Sequence, residues 1–293
     1  MIAFYYAWFD MGDWQKGTTS TGDLPDPLYD GGDETALNRH LQQAVAAGID
    51  ALACAWKGPG DKTTTQRCKK LLDLAAARGG KVKVAMFADQ ADTGWFVGSE
   101  GAMVKAIELL KSDFMPSPAY LRVGDRPVVL AWLAHSLGGP DAWQRVRGQV
   151  DPENKQFWMA GTDQFQYLDS FDALFYFDIS WESKPGAAMA SYAGRLSRYN
   201  QSSGAGKPFV ATVQAGYDDT LNRGPGHKVV PHTADAAYYK QTWQAAIDRR
   251  ACATVLTSFN EFFEGSYIEP SAQFGKTYLD VTGQMTAQYK TAP

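Results

Sequence analysis

Short apolar segments alternate along this chain with segments in which apolar residues recur at helical spacing. The apolar segments are typical of strands covered on both faces, and we place eight of them at 2–8, 49–56, 81–89, 127–132, 155–162, 171–178, 208–216 and 251–257. Helical patterns lie between them at 34–48, 64–79, 101–112, 141–150, 187–203 and 233–250. This alternation predicts the α/β class, and eight strands predict a single (β/α)8 TIM barrel.

An open, doubly wound sheet is the alternative fold for the same alternation. That fold commonly carries a glycine-rich phosphate loop after its first strand, and the sequence has none there. Gly124 and Asp125 mark a short hairpin turn before the fourth predicted strand. The sequence contains no polar linker, so we expect 1–293 to form one barrel domain.

The composition excludes several classes of partner. The chain is 45% hydrophobic and 20% charged, which is ordinary for a globular protein. A net charge of −4 without a long basic run argues against binding of nucleic acid. No apolar stretch reaches the roughly 18–20 residues of a membrane span. The first residues lack the basic region of a signal peptide, so we expect a cytoplasmic protein or an exported form whose signal was removed. We expect a monomer.

The cysteines and histidines form no metal or cofactor pattern. Cys54 and Cys252 lie in strand-like apolar segments and are predicted to be small core residues. Three cysteines at these positions predict neither a disulfide framework nor a zinc site. The histidines are scattered, and His40, on a helical pattern, is predicted to be structural. We therefore expect no metal and no cofactor.

The segment 258–270, SFNEFFEGSYIEP, follows the last predicted strand and carries the strongest chemical signal. It places Glu261 and Glu264 three residues apart among phenylalanines. Cleavage of a glycosidic bond needs two carboxyl groups, one that donates a proton and one that is ionised. Apolar neighbours and a second carboxylate both raise a carboxyl pKa, which suits the proton donor. The alternative is a structural pair at the start of a helix.

The ends of the other predicted strands carry aromatic, acidic and amide side chains. In a (β/α)8 barrel the active site lies at the C-terminal ends of the strands. The residues found there are Tyr6, Trp8, Asp10, Trp56, Lys57, Asp89, Trp132, Asp178, Trp181, Tyr217, Asp218, Asp219 and Asn260. Rings that stack on sugar C–H faces, together with hydroxyl acceptors, predict a site for a neutral glycan. The alternative is that the aromatic residues pack in the outer layer.

Four segments together resemble glycoside hydrolase family 99, the endo-α-mannosidase and endo-α-mannanase family. FYYAWFD is similar to the family's FYYPWYG, and AGIDALACAWKGPG is similar to AGID followed by SWWGPG. QAGYDDTLNR resembles PGYDDT-x-IR, and SFNEFFEGSYIEP resembles SxNEWHEGTQIEP. The matches occur in the same order and span nearly the whole chain.

This resemblance implies a retaining glycoside hydrolase that acts on an α-linked, mannose-like glycan. It makes Glu264 the general acid and Glu261 a base on the sugar 2-hydroxyl, so that a 1,2-anhydro sugar forms in place of a glycosyl-enzyme. It places Tyr6, Trp56 and Tyr217 in the sugar subsites. We add Trp8, Asp89, Trp132, Asp218 and Asn260 as substrate-binding candidates from their positions at strand ends.

The chain departs from the family pattern at Phe262, Phe263 and Lys57, which stand where the family has tryptophan or histidine. Two alternatives therefore remain beside the hydrolase. One is the related domain found with bacterial polysaccharide-biosynthesis glycosyltransferases, acting on another glycan. The other is a barrel that binds carbohydrate without turnover.

Overall fold

The computed structural model describes residues 1–15, 17, 19–88, 99–225 and 229–292. Within them the strands are β1 (Ile2–Tyr5), β2 (Ala51–Trp56), β3 (Lys83–Ala88), β4 (Arg122–Val123), β5 (Arg126–Ala131), β6 (Phe157–Gly161), β7 (Ala173–Phe175), β8 (Val210–Gln214) and β9 (Ala253–Thr257). The α-helices are α1 (Glu34–Ala46), α2 (Lys62–Ala77), α3 (Glu100–Leu109), α4 (Pro140–Val150), α5 (Pro185–Ser203), α6 (Thr220–Arg223), α7 (Ala237–Asp248) and α8 (Thr277–Thr291).

Eight of these strands form a nearly closed parallel barrel, which confirms the predicted fold class. Their order is β7-β6-β5-β3-β2-β1-β9-β8, and every neighbouring pair in that order is parallel. The short strand β4 pairs antiparallel with β5 across the predicted turn at Gly124 and Asp125. Because the strands are parallel, all eight present their C-terminal ends at the same rim.

Side chains close the barrel between β7 and β8, where the order of paired strands ends. The hydroxyl of Thr212 on β8 donates to the carbonyl of Tyr176, which directly follows β7. The side chain of Gln214, the last residue of β8, accepts the backbone N–H of Ile179 at 2.9 Å. These bonds tie the segment after β7 to β8, so the rim is continuous there as well.

Alternation along the strands separates a barrel interior from an outer layer under the helices. Phe4 on β1 lies 4.3 Å from Phe87 on β3 and 5.6 Å from Phe175 on β7, measured between ring centroids. The inward residues of β2 are small, Ala51 and Ala53 among them. Large rings opposite alanines fill the centre, as a packed barrel core requires.

Cys54 is buried as predicted, but the expectation of no disulfide and the prediction of a buried Cys252 are both wrong. Cys54 on β2 and Cys68 on α2 form a buried disulfide, and Cys252 is exposed. Cys54 points outward from the barrel, where α2 covers it, so the apolar pattern that suggested a core residue also fits half of a buried disulfide. Cys252 lies in the turn before β9, one residue short of the strand.

The sequence patterns also missed helix α8, which packs beside α7. Its buried face includes Thr282 and Thr286, and these threonines dilute the apolar periodicity. Their hydroxyls donate to the carbonyls of Tyr278 and Ala47, both at 2.7 Å, so the polar atoms are satisfied inside the layer.

Within the described residues, no helix is both long enough and apolar enough to cross a membrane. The same residues contain no group of three or more His, Cys, Asp and Glu side chains arranged to hold a metal ion.

Candidate active site

The segment 258–270 folds back on itself at the end of β9. The N–H of Ser266 donates to the carbonyl of Glu261 at 3.0 Å, which closes the turn that contains both glutamates. The N–H of Phe259 donates to the carbonyl of Phe4 at 2.8 Å, so the segment is joined to β1. The two glutamates are thereby held at the rim of the barrel, where the sequence places them.

Asn260 joins this segment to the end of β1 more firmly. Its Oδ1 accepts the N–H of Tyr6 at 2.8 Å, and its Nδ2 donates to the carbonyl of Tyr6 at 2.8 Å and to the Tyr29 hydroxyl at 3.0 Å. The side chain is fully buried. Asn260 therefore uses its amide to fix the position of Glu261, the next residue, and does not reach a ligand directly.

A buried polar network lies behind Asn260. Glu269 accepts the Tyr29 hydroxyl at 2.9 Å and lies 2.8 Å from Nε2 of His40, while Nδ1 of His40 is 2.9 Å from the Tyr5 hydroxyl. Burial and the charge of Glu269 raise the pKa values of Tyr5 and Tyr29, which keeps both hydroxyls protonated. The prediction of a structural His40 is confirmed, because it is fully buried within this network.

Glu261 is nearly enclosed, with 2% of its surface exposed. Its N–H donates to the Ser258 hydroxyl at 2.9 Å, and its Oε1 accepts the N–H of Phe263 at 3.0 Å. The ring of Phe262 is buried and stacks on Tyr267 at 4.0 Å. The N–H of Phe263 thus orients the carboxyl group, while the Ser258 hydroxyl fixes the backbone of Glu261.

Glu264 is half-buried and lies on the wall of a cavity. Its backbone carbonyl accepts the N–H of Asp218 at 2.7 Å, which connects the segment to the loop after β8. Tyr217 from that loop lines the same cavity and donates its hydroxyl to Asp219 at 2.7 Å. Burial first, and then the charge of Glu264, raises the pKa of Tyr217, so its hydroxyl stays protonated.

The cavity has a volume of about 610 Å³, within the usual range for ligand sites. It extends from the ends of β8 and β9 across the ends of β7, β6 and β5. Its lining combines aromatic rings with polar and charged groups: Trp132, Leu133, His135, Gly161, Thr162, Asp163, Gln164, Tyr176, Phe177, Asp178, Trp181, Tyr217, Arg223 and Glu264. Rings beside hydrogen-bonding groups suit a ligand that is apolar on its faces and polar at its edges.

A second group of predicted residues lies at the ends of β1 and β2. The rings of Tyr6 and Trp8 pack together with centroids 4.7 Å apart. The ammonium of Lys57 lies over the Trp8 ring, 4.4 Å from its centroid, as in a cation–π pair. None of these three lines the cavity, so they form a separate part of the rim.

The remaining predicted residues lie elsewhere. Trp56 is fully buried in the outer layer, where its indole N–H donates to Thr65 of α2 at 2.7 Å, because the alternation along β2 turns it away from the barrel axis. Asp218 uses its carboxylate to accept the N–H and hydroxyl of Thr220. Asp89 lies outside the described residues.

The sequence predicts that Asp10 and Asp219 accept sugar hydroxyls, but the structure gives both of them arginine partners. Asp10 forms an ion pair with Arg67, and Asp219, nearly buried, pairs with Arg223 at 2.7 Å. Arg223 itself lines the cavity, and it is the last residue of the motif QAGYDDTLNR, although it is not among the predicted site residues. Of the cavity residues that follow β5 and β6, the sequence predicts Trp132 and misses the others, since single polar residues after a strand carry little signal.

A sequence model of glycosyl hydrolase family 99 matches residues 25–291. The chain belongs to glycosyl hydrolase family 99. As a family 99 member it is a glycoside hydrolase, and its family suggests an oligosaccharide substrate. No functionally curated sequence matches the chain.

Solved structures support the family 99 fold. The endo-α-mannosidase of family 99 from Bacteroides thetaiotaomicron, in complex with bis-tris propane, superposes with a TM-score of 0.84 at 21% identity, covering 99% of this chain and 97% of that one. A glycoside hydrolase-like protein superposes with a TM-score of 0.76 at 17% identity, covering 97% of this chain and 93% of that one. A family 5 mannosidase from Rhizomucor miehei superposes with a TM-score of 0.55 at 11% identity, covering 99% of this chain and 93% of that one.

Proposed function

We propose that this glycoside hydrolase cleaves an α-linked, mannose-like glycan with retention of configuration, using Glu264 as the general acid and Glu261 as the base. The observation that carries this proposal is the contrast between the two carboxyl groups. Glu264 lies on the cavity wall, whereas Glu261 is nearly enclosed, with its backbone N–H bonded to the Ser258 hydroxyl and its carboxylate bonded to the N–H of Phe263. An acid must reach the leaving oxygen, and a base must be held in place.

In the first step Glu261 removes the proton of the sugar 2-hydroxyl, and O2 attacks C1. The bond from C1 to the glycosidic oxygen breaks, and that oxygen takes the proton of Glu264. The product is a 1,2-anhydro sugar with an inverted C1. General acid and base assistance of this kind is typically worth roughly 10²–10⁴-fold in rate.

In the second step the ionised Glu264 removes a proton from water, which attacks C1. The C1–O2 bond opens, and O2 takes back the proton held by Glu261. Both glutamates return to their starting states, and two inversions at C1 give net retention. The resemblance of 258–270 to the family motif supports this assignment of roles.

The charges around the cavity favour a neutral glycan. Among the described residues that line it, Arg223 is the only lysine or arginine, and Asp219 pairs with it. Glu264 and Asp178 face a ligand that donates hydroxyl hydrogens. A polyanionic chain would meet like charge there with little to compensate it.

A hydrolysis time course on α-mannan oligosaccharides, followed by proton NMR, tests the proposal. We expect the α anomer to appear first and the β anomer to grow only at the rate of mutarotation. Prior appearance of the β anomer would contradict retention. Cleavage of polyanionic chains in preference to neutral ones would contradict the substrate class.

A further inference from the structure

Trp181 is the most exposed tryptophan of the described residues, with 50% of its surface accessible, and it borders the same cavity as Glu264. It lies on the segment that connects β7 to α5. Isolated exposed apolar residues are common on proteins and need no special function. Trp181 differs from Met11, which is equally exposed but does not line this cavity.

The backbone beneath Trp181 is firmly held. The N–H of Ile179 donates to Gln214 at 2.9 Å, and its carbonyl accepts the Tyr238 hydroxyl at 2.8 Å. The N–H of Ser180 donates to Asp178 at 2.7 Å, and Ile179 is fully buried. Because its backbone is fixed in this way, an exposed ring can bind a ligand without a large ordering cost.

The proposed role of Glu264 fixes which part of the substrate the cavity holds. A general acid lies beside the leaving oxygen, so the sugars released in the first step must lie on the side of Glu264. The residues at the other part of the rim, Tyr6, Trp8 and Lys57, do not line the cavity. The cavity therefore corresponds to the leaving part of the glycan, and its volume of about 610 Å³ exceeds the needs of one sugar.

We propose that Trp181 is a stacking platform for a sugar unit of the leaving part beyond the one attached to the scissile bond. This inference rests on the proposed function. The ring of Trp181 covers a C–H face of that sugar, while Asp178 and Gln164, which line the same cavity, accept hydrogen bonds from its hydroxyls. A leaving group of at least two sugars is then needed to reach Trp181.

The test compares Trp181→Ala with the wild type on two substrates. In one, α-mannotetraose, the leaving part is a disaccharide; in the other, an α-mannobiosyl fluoride, the leaving group carries no sugar. We expect kcat/KM for the tetrasaccharide to fall by about tenfold or more, as loss of a stacked ring would give. We expect the value for the fluoride to stay within about twofold, and Trp181→Phe to recover part of the loss.

Two further variants complete the comparison. Val45→Ala, at an exposed position of α1 outside this cavity, should leave kcat/KM for both substrates unchanged. Trp8→Ala, on the other part of the rim, should lower kcat/KM for both. Equal losses on both substrates in Trp181→Ala, or no loss on the tetrasaccharide, would overturn the platform alone. No turnover of either substrate by the wild type would overturn the proposed function and the platform with it.

Discussion

At the residue scale, the surroundings of the two glutamates set different expectations for their variants. Glu264→Gln removes the proton donor but leaves Glu261 in place, so a glycosyl fluoride, whose leaving group needs no proton, should still form the intermediate. Azide can then open that intermediate without a base. We expect oligosaccharide turnover to fall roughly 10²–10⁴-fold and azide to restore turnover of the fluoride.

Glu261→Gln should lose turnover of both the oligosaccharide and the fluoride, and azide should not restore it. The reason is that the proposed mechanism has no other base to activate O2. Glu108→Gln, an exposed change on α3, serves as the matched control and should keep full activity. Steady-state rates with and without azide make the measurement. If azide rescued Glu261→Gln and not Glu264→Gln, the two roles would be reversed. Turnover within about threefold of the wild type would remove that residue from the mechanism.

At the element scale, the turn after Glu264 depends on a glycine for two reasons. Gly265 has a φ of +55°, and a Cβ there would lie 2.8 Å from the methyl of Thr21 and 3.2 Å from the backbone nitrogen of Asp218. Gly275 has a φ of +53° and open space around the same position. An alanine at either position would therefore strain the backbone, but only at position 265 would its Cβ also overlap neighbouring atoms.

The corresponding alanine variants separate these effects. We expect Gly275→Ala to lower the free energy of unfolding by about 1 kcal/mol through left-handed strain and to keep its activity. Gly265→Ala should lose about 1–3 kcal/mol more and at least tenfold in kcat, since the overlap displaces Glu264. Urea unfolding and steady-state kinetics check both. Equal effects in the two variants would show that the overlap is relieved without moving the site.

The order of the eight barrel strands was predictable, because each contains an apolar run, but their exact ends and the face of each side chain were not. Trp56 shows the reason. It lies on the same face of β2 as Cys54, which α2 covers, whereas Ala51, Ala53 and Ala55 fill the interior. Alternation assigns residues to two faces, but only the closed barrel decides which face is inside.

At the scale of the whole molecule, the site consists of a part that the sequence reveals and a part that it does not. The segment 258–270 is continuous, so its two glutamates could be predicted from one motif. The cavity wall is assembled from the ends of five strands, and residues such as Gln164 and Arg223 meet there only because the barrel closes between β7 and β8. The Thr257–Ser258 peptide bond, which is cis, also has no marker in the sequence.

The disulfide between Cys54 and Cys68 ties β2 to α2 across 14 positions of sequence, and closing a loop of about 15 residues stabilises a protein by roughly 3 kcal/mol. The Cys54→Ala/Cys68→Ala variant should lose about that much unfolding free energy, measured in urea. Cys252→Ser, at an exposed position, should change it by less than about 0.5 kcal/mol. Thiol titration gives an independent measurement: the unfolded, unreduced wild type should show one thiol, and the reduced chain all three. Three thiols before reduction would contradict the disulfide, and unchanged stability in the double variant would contradict its role in holding α2 against the barrel.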